Sequence, residues 1–187
     1  MNKINIMHYM RTIILAGTAW LWISCGDSGH KHENELTKTE TDQFQSSSQN
    51  SIKINHPALD AVWNHYEALT AALVAKDAEK AKLSAHALAE AASNIEGLNF
   101  MAAPAKAIAE SSDLKVQRAS FSILSNAYIE KIKAAGMENG VLYVDFCPMA
   151  LNDNGGYWLS TEKTIINPYF GDEMLNCGTV KEEIGKN

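Results

Sequence analysis

Cysteine is scarce in this chain, three residues in 187, and no two of them form a Cys-x-x-Cys pair. That excludes a thioredoxin-type redox motif and a haem-attachment motif. No Ser/His/Asp order, Gly-rich phosphate loop or His-Glu-x-x-His run is present, so no enzyme is expected. Clusters of lysine and arginine are also missing, and the formal charge is −6. An acidic chain without a basic patch does not suit nucleic acid. Long apolar runs are absent as well. The longest, Thr12 to Ile23, is too short for a membrane span and follows Lys3 and Arg11, as the apolar core of a secretion signal does.

That signal ends at Ser24-Cys25, which resembles a bacterial lipobox, although Trp22 stands where leucine is usual. The expectation is a lipoprotein signal peptide over residues 1–24 and a lipidated Cys25. The alternative is ordinary signal cleavage. Removing 1–24 takes away two basic residues and no acidic ones, which leaves the mature chain more acidic still. Residues 25–54 are rich in Ser, Thr, Asn, Gln, Glu and Lys, with Phe44 almost the only large apolar side chain before Ile52. Such a segment buries too little to offset its ordering entropy and reads as a flexible tether. His30 and His32 lie in it and read as solvated.

The remaining stretch, residues 55–184, is long enough for one domain with its own core. Leu59, Val62, Trp63, Tyr66, Leu69 and Leu73 recur at helical spacing after Pro57, a residue favoured in a first turn. Asp77 predicts an N-cap for a second helix that ends near Gly97. Pro104 is expected to open a short helix carrying Ile108. Asp113 opens a longer one through Phe121, Leu124, Tyr128 and Ile132, stopped at Gly136. Alanines on these stripes allow close approach, so the fold class is mainly α, an antiparallel helical bundle. Beyond Gly140, the β-branched and aromatic run Val141–Phe146 and the segment Tyr157–Ser160 flank a turn at Asn152–Gly156. They predict a small C-terminal β-hairpin and loop cap over 141–178. Arg118 reads as structural, pairing with a carboxylate or loop carbonyls. His65 and His86 read as boundary residues.

The cap holds the two cysteines left after Cys25, each beside a methionine: Cys147-Pro148-Met149 and Met174-Leu175-Asn176-Cys177. In an extended segment residues two apart share a side, and in a helical turn residues three apart share a face. Cys147, Met149, Met174 and Cys177 can thus converge into a soft-metal site suited to Cu(I), with Ag(I) as another candidate. Trp158 is a candidate cap over such an ion. A disulfide between Cys147 and Cys177 is the open alternative, since exported cysteines 30 positions apart commonly pair, and it would leave no metal bound.

Four longer motifs add a resemblance: Phe146–Ala150, Gly156–Ser160, Ile166–Gly171 and Met174–Gly178. Together with Tyr66-Glu67-Ala68-Leu69 and Gln117-Arg118, they resemble an uncharacterised bacterial exported domain family over about residues 60–184. That family also occurs at the C-terminus of periplasmic adaptor subunits of heavy-metal efflux pumps. The resemblance implies copper or silver handling on the periplasmic or surface side of the cell envelope. The implied partners are an efflux adaptor or another metal-handling protein, with membrane attachment through the lipid. The competing expectation is a disulfide-locked interaction module that binds no metal.

Overall fold

The computed structural model describes residues 51–185. The signal peptide, Cys25 and the tether as far as residue 50 lie outside the described residues. The fold starts inside the last part of the expected tether. Strand β1 (Lys53–Ile54) pairs with β2 (Met137–Asn139), and Ile54 is buried. Strands of two and three residues carry too little periodicity, so neither is visible as a sequence pattern.

Helices α1 (Pro57–Ala61), α2 (Trp63–Val74), α3 (Ala78–Asn94), α4 (Asn99–Ala109) and α5 (Leu114–Ala135) follow. The first apolar stripe is divided at Val62, where the backbone opens to φ −103° and ψ −1°. Lys76 then takes φ 54° and Asp77 Oδ1 accepts from the Lys80 amide at 3.0 Å, as a helix stop and a helix cap require. Asp113 caps α5 on the Lys115 amide, and Gly136, at φ 75°, ends it. The expectation that Pro104 begins a helix is corrected. Helix α4 begins at Asn99 and carries Pro104 in its interior, which removes one ladder bond. Met101, Ala105 and Ile108 on its buried face are fully enclosed, and tertiary packing holds the helix over the proline. From α2 to α5 each helix packs on the next, joined by short connections in the up-and-down manner.

The expected hairpin is present. Strand β3 (Leu142–Cys147) pairs antiparallel with β4 (Gly156–Ser160), and Asp145 faces Trp158 while Cys147 faces Gly156. A strand that the sequence did not reveal, β5 (Thr179–Ile184), adds to the other edge of β3 with a bulge between Val144 and Asp145. Its charged run Lys181-Glu182-Glu183 hides the strand pattern and blunts an open sheet edge.

An aromatic chain ties bundle to cap. Tyr66 packs against Trp63, Phe121 and Tyr128 with centroids 5.7, 5.6 and 5.1 Å apart. Phe121 meets Tyr169, which meets Trp158 edge-on at 6.0 Å. The buried Tyr66 hydroxyl shares a 2.6 Å hydrogen bond with Ser125 and accepts the Leu159 amide of β4 at 3.0 Å. Helix α2 therefore satisfies a backbone donor on the free edge of β4. Burial pushes the Tyr66 phenol up to about 12.

Candidate functional site

Cys147 is the last residue of β3 and is fully buried. Directly opposite residues on paired strands project to the same face, so Cys147, Gly156, Asp145 and Trp158 share one side of the sheet. Gly156 leaves room there for an aromatic ring. A Cβ at Gly156 would stand 2.5 Å from the Tyr169 ring, whose hydroxyl donates to the Tyr157 carbonyl at 2.7 Å. Tyr169 thus lies against the strand pair beside Cys147.

The loop 161–178 brings the second cysteine to this face, and Asn167 organises that loop. Fully buried, it donates from Nδ2 to the Cys177 carbonyl at 2.8 Å and accepts the Tyr169 amide on Oδ1 at 2.8 Å. Its own amide bonds the Leu175 carbonyl. Arg118 clasps the same loop to the bundle, donating to the carbonyls of Pro168 and Leu73. A 3-10 turn over Gly171–Met174 follows Phe170. The Cys177 amide then bonds the Met174 carbonyl at 3.1 Å. Gly178 admits the Trp158 ring, since a Cβ there would stand 3.0 Å from Trp158 Cη2 and 2.9 Å from the Phe146 carbonyl oxygen.

The outcome is a thiol pair, with Cys147 Sγ and Cys177 Sγ 2.7 Å apart. The hydrogen bond with Cys147, then burial, raises the Cys177 thiol to about 11. Either oxidation to a disulfide or a shared ion would remove the protons from this pair.

The methionines are placed differently. Extension through Pro148 would have put Met149 on the side of Cys147, but Met149 has φ −83° and ψ −9°. The chain turns there, and Met149 is 46% exposed. Met174 is 38% exposed. Both line one groove of about 720 Å³, together with Ile123, Leu151, Tyr169 and Phe170, and neither cysteine belongs to its lining. The cysteine sulfurs are thus in contact, while the two methionines line a groove to which neither cysteine contributes. Among the described residues no three His, Cys, Asp or Glu side chains converge as a metal cluster. Trp158 is buried and packs against the backbone just past Cys177. Cys25 lies outside the described residues.

The most conspicuous group that sequence reasoning passed over is Asp145. It is fully buried and neither carboxylate oxygen has a hydrogen-bond partner. Burial raises it to about 7. The available signal was its position two residues before Cys147 in a strand, which places both on one face. Asn167, Tyr169 and Gly156 stood inside recognised motifs, and only their contacts reveal what they do.

Residues 62–140 match the family DUF3347, described as a protein of unknown function. The matched stretch runs from the start of α2 to just beyond β2 and ends before Cys147, so it includes none of the four sulfurs. No curated protein and no solved structure gives a significant match.

Proposed function

We propose that this is an envelope-tethered soft-metal binding protein that holds Cu(I), or Ag(I), between Cys147 and Cys177. The observation that carries the reading is the 2.7 Å approach of two thiol sulfurs from segments 30 positions apart. Two sulfurs each about 2.3 Å from one ion can stand up to roughly 4.6 Å apart, so a small separation of the pair admits an ion. Thiolates select soft ions over Mg²⁺ and Ca²⁺, and among the described residues no three His, Cys, Asp or Glu side chains gather to favour a harder one. The motif resemblance supports a link to heavy-metal efflux, with an adaptor subunit or a metal-handling protein as the partner. The signal-like N-terminus supports anchoring through a lipidated Cys25. Mass spectrometry of the membrane fraction tests that anchor, and a mature chain starting elsewhere would reject it.

The same proximity favours a second reading, an interaction module locked by a Cys147–Cys177 disulfide, for which a bond of about 2.05 Å needs only a small closing movement. Anaerobic Cu(I) titration of the reduced protein against a competing chelator separates the two. Stoichiometric uptake, abolished in C147S/C177S, supports the metal reading. Protein that carries a disulfide as isolated, and takes up no Cu(I) after reduction, supports the lock.

A further inference from the structure

We infer that Met149 and Met174 form a separate outer station for the soft ion, through which it reaches the buried thiol pair. This rests on the reading of Cys147 and Cys177 as the holding site. Two thioethers from segments 25 positions apart in sequence line the same open groove, and both are substantially exposed. Exposure of two methionines in one groove is unusual for a side chain that normally fills cores. Each lies within three residues of a cysteine in the chain. Met149 is two residues beyond Cys147, and Met174 accepts the Cys177 amide within one turn. The Tyr169 ring lines the groove and also lies over Gly156, the residue facing Cys147.

Backbone strain accompanies this placement. Leu151, Asn152 and Asp153 follow the Met149 turn with φ of 55°, 58° and 63°, a left-handed run that L-residues adopt rarely. Three such residues in succession persist only where the surroundings fix them. Leu151, Asn152 and Asp153 all line the groove beside Met149. The chemistry fits a station rather than a store. Thioethers are neutral soft donors, which discriminate for Cu(I) and Ag(I) without the proton release that a thiolate site requires.

Stopped-flow transfer of Cu(I) from a coloured chelator complex, and of Ag(I), into reduced protein tests the assignment. M149L/M174L keeps apolar volume and removes both sulfurs. The expected result is uptake slowed about tenfold, an added barrier near 1.4 kcal/mol, with equilibrium affinity unchanged within about threefold. Equal rates in parent and variant would overturn the station and leave the methionines as packing or as a protein-docking surface. An affinity that falls together with the rate would overturn it differently, by placing all four sulfurs around one ion. No uptake by the parent would remove the holding site itself.

Discussion

A carboxylate without a partner sets the pH response of this fold. Asp145 is raised from 3.8 to about 7 by burial, so the folded chain keeps its proton at pH values where the unfolded chain has lost it. Between about pH 4 and pH 7 the folded state therefore binds more protons, and stability falls as pH rises. The group contributes fully below pH 4, and its stabilisation is gone above pH 7. Asp145→Asn should flatten the pH dependence of the urea midpoint of reduced protein between pH 4.5 and 8. An unchanged slope would show the carboxyl to be solvated. Gly156→Ala is the second residue-level expectation. Its methyl meets the Tyr169 ring, and displacement of a packed aromatic should cost roughly 1–3 kcal/mol in chemical denaturation. The two cysteines were legible in sequence because so few exist. The exposure of Met149 was not, because it depends on the turn in the backbone at that residue.

At the level of elements, helices α3 and α5 were legible because a one-face apolar stripe agrees with a capping aspartate on each, and α2 from its apolar stripe alone. Helix α4 was misplaced by Pro104, whose local preference lost to burial of Met101, Ala105 and Ile108. Strand β5 was invisible because an edge strand exposes charge rather than alternating apolar residues. The join between α2 and β4 depends on one hydroxyl. Tyr66→Phe keeps the ring but leaves the Leu159 amide and Ser125 without it, and should cost about 1–3 kcal/mol. Asn167→Ala should free the loop 161–178 while the bundle stays folded. Limited proteolysis is expected to cut that loop faster, with far-ultraviolet dichroism unchanged.

Across the whole molecule, bundle and cap share one core through Phe121, which stands between Tyr66 and Tyr169. Phe121→Ala should cost about 3–5 kcal/mol, with helix and cap signals still melting together because each depends on the same aromatic chain. If the thiols oxidise, the loop they close spans 30 positions, worth roughly 3–4 kcal/mol of added stability by loop entropy. Comparing thermal midpoints with and without reductant measures it. The family match runs from α2 to β2, so the similarity to DUF3347 and the two cysteines of the cap lie in different parts of the chain.

Complete burial of Cys147 also fixes how fast that sulfur can meet anything dissolved in water. Reagents reach it only when the segment held by Asn167 and Arg118 swings away, a local excursion rather than global unfolding. Alkylation of Cys177, which is partly exposed, should rise in proportion to reagent concentration. Alkylation of Cys147 should instead level off at a ceiling equal to the rate of that excursion, as expected when modification outpaces reclosing. The fold would then set its own clock for the inner sulfur, one that more reagent cannot advance.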